Sequence, residues 1–150
     1  MRALVQRVDW AEVMVAGRIV GRIDRGLLVY IGVAVGDTAA DAARLAEKVA
    51  QLRIFEDENG KMNKSCQDVR GGVLAISNFT LQADTRKGRR PAFTAAAGAK
   101  LAEQLYDTFT TALAEQSDTV ARGVFRAAMR IQSAADGPVN VLVEVPPTKP

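Results

Sequence analysis

Ser77-Asn78-Phe79-Thr80 sets two hydroxyls and an amide around one aromatic ring. The cluster falls where an apolar, β-branched run beginning at Val73 gives out. Shortly after it, Asp84-Thr85-Arg86-Lys87-Gly88-Arg89-Arg90 makes a basic loop closed by Pro91. Hydroxyls and an amide at a strand end, beside a positive loop, suit a pocket for a polyanionic substrate. A strand followed by a merely solvated loop is the other reading of the same residues, since loop charges commonly serve solvation.

Absences bound the chemistry further. The chain has no histidine, which excludes Ser-His-Asp and Cys-His catalysis and any zinc site that uses His. Its lone cysteine, Cys66, excludes an internal disulfide and a Cys-rich metal cage, and fits a reducing compartment. What remains is carboxylates, hydroxyls, lysine, backbone dipoles, or a group that the substrate brings. The acidic run Glu56-Asp57-Glu58 lacks the spaced oxygen ligands of a calcium loop and reads as a polar turn.

The elements that position these residues follow from periodicity. Residues 2–9 alternate as a strand, and Ala16-Gly17 marks a hairpin between 13–15 and 18–23. Leu27 to Val35 is almost unbroken apolar sequence, a central strand covered on both faces. Thr38 caps a helix over about 38–51 whose Ala42, Leu45, Ala46 and Val49 keep helical spacing. A short strand is expected at 52–55 and a second helix over 98–115, with Leu101, Leu105, Phe109 and Leu113 on one stripe. Further strands are expected at 118–125 and 127–134. Asp136-Gly137-Pro138 then makes a sharp turn into a last strand, 139–145.

The 150 residues, with a net charge of +3, make one α/β domain over 1–145 and a loose, Pro-rich tail over 146–150. No window approaches the ~20 apolar residues of a membrane span, and the first ten residues do not read as a signal peptide. A cytoplasmic location is therefore expected.

Five segments, in order along nearly the whole chain, resemble the D-aminoacyl-tRNA deacylases (the D-tyrosyl-tRNA deacylase family). They are MRALVQRV, GLLVYIGV, LRIFEDENGKMNKS, SNFTLQADTRKGRRPAF and DGPVN. The resemblance implies an α/β fold: a single three-layer domain with mixed, barrel-like β-sheets covered by two main helices. It implies a homodimer with the active site at the subunit interface, aminoacyl-tRNA as partner, no membrane association, and no metal or cofactor. The implied reaction is hydrolysis of the ester of D-aminoacyl-tRNA, and of glycyl-tRNA mischarged on a non-cognate tRNA.

By position, Ser77, Asn78, Phe79, Thr80 and Leu81 match the family's first motif, and Gly137, Pro138, Val139 and Asn140 its second. In the family the Gly-Pro bond is cis and reaches into the partner's pocket, where it rejects L-aminoacyl groups. Phe125 and Met129 match pocket walls, and Arg7 matches a residue near the Gly-Pro turn. Asn78 and Asn140 depart from the usual Gln and Thr, while Arg126 and Arg130 stand where Gly and Gln are expected.

The implied ester is already activated by its ribose 2′-hydroxyl and neighbouring ammonium. Thr80 is a weak nucleophile without a base. Backbone N–H groups of Phe79 and Thr80 are the expected oxyanion donors, with Ser77 beside them and the Thr80 side chain ordering the site. Arg86, Lys87, Arg89 and Arg90 would bind tRNA phosphates. Two alternatives stay open: a related editing deacylase with altered selectivity, and a tRNA-binding module without catalysis.

Overall fold

The alternating stretch at the start of the chain folds as one strand, β1 (Arg2–Val15), which joins the two pieces expected there. The computed structural model describes residues 1–148. Ala16 and Gly17, at φ 49° and 77°, turn β1 into β2 (Arg18–Ile23) through the expected two-residue hairpin. β3 (Gly26–Gly32) is the central strand. Its Leu27, Val29 and Ile31 face one core cluster and Leu28 another, so both faces are covered.

α1 (Ala39–Ala50) begins at Thr38, which makes the expected cap, and buries Ala42, Leu45, Ala46 and Val49. β4 (Phe55–Glu56) and β5 (Met62–Lys64) form a small separate hairpin, so the strand expected at 52–55 lies slightly later in the chain. β6 (Gly72–Ser77) runs parallel to β3. α2 (Ala99–Ala114) buries Leu105, Phe109 and Leu113 against α1 and the sheet. Leu101, expected on that stripe, is 37% exposed. It lies in the helix's first turn, beyond the edge of the core.

β7 (Val120–Arg122) adds to β6, and β8 (Met129–Glu144) runs along the whole of β1. The two strands expected at 127–134 and 139–145 are thus one element. Asp136-Gly137-Pro138 is not a chain-reversing turn but a bulge within it. Residues 136–139 stand opposite Arg7 alone, between the pairs Gln6–Asn140 and Val8–Ala135.

The six-stranded mixed sheet has the order β2-β1-β3-β6-β7, with β8 on the other side of β1. It curls until β2 approaches β7: a Cβ added at Gly21 would lie 2.6 Å from the Arg122 carbonyl. The result is a nearly closed barrel with Val8, Ala11, Val13, Leu28, Leu74 and Ile76 inside. Both helices pack on its outer face over Ala3, Val5, Val29, Ile31 and Val73. Helices, near wall and far wall make the three layers. Each buried Val, Leu or Ile contributes roughly 1.5–3 kcal/mol.

The tail, expected to be loose, is held as far as it is described: Pro146 and Thr148 hydrogen-bond Arg44 and Asp41 of α1. Residues 149–150 of that expectation lie outside the described residues. No helix among the described residues is long and apolar enough to cross a membrane.

Candidate active site

β6 delivers Ser77 to the edge of the sheet, and Asn78 stops the strand there. The Asn78 N–H still donates to the Ile31 carbonyl (2.7 Å), while its side chain turns to cap a 3-10 turn, Phe79–Gln82. Asn78 Oδ1 accepts from the Thr80 N–H (3.2 Å) and from the Thr80 hydroxyl (2.5 Å). The turn is pinned to β3 because Gln82 Nε2 donates to the Gly32 carbonyl at 2.8 Å. Gly32 allows that approach, since a Cβ there would stand 2.9 Å from Leu81 Cβ. Arg2 Nη1 donates to the Leu81 carbonyl, a further tether.

This arrangement separates the two expected oxyanion donors. The Thr80 N–H is occupied by Asn78. The Phe79 N–H, first in the turn, has no acceptor among the described residues. Phe79 as a residue is 59% exposed, and its ring stacks edge-on against Phe93 at 5.2 Å. The Thr80 hydroxyl gives its proton to an amide oxygen, which cannot take it up as a base would.

Below Phe79 lies a cavity of about 470 Å³. Ser77, Asn78, Phe79, Phe125 and Met129, all expected at the site, line it. Thr80 and Leu81 belong to the same turn but not to the lining. Sequence reasoning missed the wall made by Ala97, just before α2, and by Ala99, Ala102 and Tyr106 of α2. The Ala-rich run before and within this helix was a signal, because small residues leave room at a helix start. Tyr106 donates its hydroxyl to the Ala75 carbonyl (2.8 Å), and burial pushes its phenol above the usual value despite the nearby Arg122 guanidinium. Arg126, read from sequence only as a departure, is the cavity's one charged lining residue. Among the described residues no cluster of His, Cys, Asp and Glu could hold a metal.

Gly137, Pro138, Val139 and Arg7 form a second group, apart from the cavity lining. The Gly137–Pro138 bond is cis, and Gly137 has φ 119°, a region that only glycine adopts freely. Arg7, 5% exposed, donates Nη1 to the Ile54 carbonyl at 2.7 Å. Its Nε lies 2.9 Å from Asp136 Oδ2, a charge contact without hydrogen-bond alignment, which leaves that buried N–H unsatisfied. Arg7 therefore backs the bulge. Gly137 and Pro138 are exposed, while Val139 packs on the helix-side core.

The basic loop is folded onto itself by mutual backbone bonds between Asp84 and Ala92. Arg86 pairs with Asp84 and holds its carboxyl well below the usual range, so Arg86 is spent within the loop. Lys87, Arg89 and Arg90 are exposed and make no ion pair among the described residues.

The D-Tyr-tRNA(Tyr) deacylase family pattern matches residues 4–144. A D-aminoacyl-tRNA deacylase of Chloroflexus aurantiacus is 54% identical over 96% of this chain and 90% of its own. One of Thermus aquaticus is 51% identical over 96% and 95%. Among solved structures, a c-Myc DNA unwinding element binding protein superposes with a TM-score of 0.92 at 37% identity, covering 97% of this chain and 99% of that one. A probable eukaryotic D-amino acid tRNA deacylase shares the fold at a TM-score of 0.83, with 17% identity over 96% and 98% of the two chains. With the matched pattern spanning all but the ends of the chain, the protein belongs to the D-Tyr-tRNA(Tyr) deacylase family, hydrolases that act on ester bonds.

Proposed function

We propose that this protein hydrolyses the ester between a D-amino acid and the terminal ribose of tRNA, working in the cytoplasm as a homodimer. The observation that carries this reading is the unpaired Phe79 N–H at a cavity whose lining offers no base. Burial keeps Tyr106 neutral, and the Arg126 guanidinium is a donor only. Water attacks the ester carbonyl, and charge builds on the carbonyl oxygen, which accepts from Phe79 N–H. The carbon–oxygen bond to ribose then breaks. The proton of the attacking water passes, through the neighbouring ribose hydroxyl, to the departing ribose oxygen. Free D-amino acid and tRNA result. Ser77 and Asn78 order the pocket, and Lys87, Arg89 and Arg90 hold the polyanion.

Chirality is assigned to Gly137-Pro138 of a second copy. Their exposure and their absence from the lining of their own chain's cavity support this reading, since a wedge that leaves its own pocket free can reach the edge of another. Main-chain atoms held against the substrate Cα exclude an L side chain, whereas glycine passes.

A second reading, nucleic-acid binding without catalysis, is favoured by the name of one structural neighbour and by the three uncompensated loop cations. One assay separates the two: hydrolysis of D-, L- and glycyl-tRNA side by side, with metal chelated. D- and glycyl-tRNA should be cleaved, and L-tRNA ~100-fold more slowly or worse. Equal D and L rates overturn the chiral reading. Binding without any cleavage establishes the second.

A further inference from the structure

Arg126 occupies the third position of the turn Val124–Ala127, closed by the Ala127 N–H on the Val124 carbonyl at 3.2 Å. Its φ is 62°, and a positive φ at that position is where Gly or Asn is the ordinary choice. The two other non-glycine residues with positive φ among the described residues, Ala16 and Arg70, sit directly before glycines in turns and lie outside the lining of this cavity. Arg126 differs because its turn carries a cavity wall, between Phe125 and Ala127.

Its guanidinium makes no hydrogen bond or ion pair among the described residues. Arg2, Arg7, Arg22, Arg44, Arg86 and Arg122 each face a carboxylate. Arg126 is thus an exposed, uncompensated cation on an otherwise uncharged cavity, set there against the backbone preference of its own position. An anion is the partner such a group calls for.

We propose that Arg126 binds the phosphodiester that leads into the terminal nucleotide of the tRNA, and so registers the ester at Phe79. The proposal rests on the deacylase reading and names a contact within it. A cavity of about 470 Å³ can seat one nucleoside, which sets its 5′ phosphate at the rim where an exposed arginine waits. That phosphate is present on every tRNA. An acidic amino-acid side chain is present on few, which is why the phosphate is favoured as the anion.

The test uses Arg126→Asn, which suits a positive φ and removes the charge, and Arg126→Lys, which keeps the charge. Each is assayed with D-tyrosyl-tRNA, D-aspartyl-tRNA and the D-tyrosyl ester of adenosine, which has no phosphate. Arg126→Asn should keep the wild-type melting temperature and raise KM for both tRNAs about five- to tenfold at low salt. The slope of log affinity against log salt should shrink by about 0.7, the share of one single-strand phosphate contact. KM for the adenosine ester should move far less than KM for tRNA, with kcat within about twofold, and Arg126→Lys should recover part of both losses.

An equal KM rise on tRNA and adenosine ester overturns the contact, as does an unchanged KM. A loss confined to D-aspartyl-tRNA overturns it in favour of side-chain recognition. If the wild type cleaves none of these substrates, it is the deacylase reading that falls. The salt slope for uncharged tRNA then decides Arg126 by itself: an unchanged slope in Arg126→Asn overturns the contact.

Discussion

Asn78 accepts from both the amide and the hydroxyl of Thr80, and that pairing decides how Thr80 can act. A hydroxyl whose proton points at an amide oxygen is oriented, not activated. Thr80→Val, which keeps the β-branch, should therefore lower kcat by no more than about tenfold. Phe79→Pro removes the unpaired N–H at the first residue of a 3-10 turn, where proline's φ fits. It should cost ~100–1000-fold in kcat, the usual loss for one oxyanion donor, with the melting temperature preserved. Single-turnover rates on D-aminoacyl-tRNA decide the matter: a Thr80→Val loss as deep as that of Phe79→Pro would reinstate Thr80 as nucleophile. The motif was readable as letters. That Asn78 occupies Thr80 and leaves Phe79 open was not, because a cap depends on how the strand ends.

At the scale of elements, α1 was legible almost to the residue because its signals are local. Thr38 and Asp41 make a reciprocal capping box, and Thr38→Ala should cost about 1 kcal/mol, seen as a fall of roughly 2–4 °C in melting temperature. Burial alone would push the Asp41 carboxyl up, but bonds from Thr148, Thr38 and Arg44 outweigh it and hold the group well below the usual range. A depressed carboxyl contributes stability that is present above its unfolded value and lost as pH falls through the folded one. The gap between wild type and Thr38→Ala should thus narrow below about pH 4, measurable by thermal melts across acid pH. β8 was misread as two strands and a turn. Gly-Pro is a turn signal in isolation, and only pairing with all of β1 converts it into a bulge.

At the scale of the molecule, the bulge and the cavity are separate in one chain, and the exposed bulge strand carries Leu142, itself 53% exposed. The cross-subunit reading predicts complementation. A Cβ at Gly137 would lie 2.8 Å from Val139 Cγ2 at φ 119°, so Gly137→Ala must displace the wedge. Alone, Gly137→Ala should cleave L- as well as D-aminoacyl-tRNA, and Phe79→Pro should cleave neither appreciably. Mixed dimers of the two pair an intact Phe79 N–H with an intact wedge from the other copy, and should cleave D only. If purified mixed dimers still cleave L as fast per intact Phe79 site as the Gly137→Ala dimer does, that is at about half its rate per dimer, the wedge acts within its own chain.

What the sequence by itself determined is whatever short-range chemistry encodes: the strand and helix periods, the Thr38 cap, the hairpin at Ala16-Gly17, the motif positions, and the exclusion of imidazole chemistry. Only the tertiary structure decided which of these meet. Folding α2 over the end of β6 made Tyr106, Ala99 and Ala102 a cavity wall, and the turn at Arg126 set a cation on it. Pairing β8 along β1 kept Gly137-Pro138 away from that cavity. Such juxtapositions depend on contacts between residues far apart in the chain, which no local pattern of types and spacings specifies.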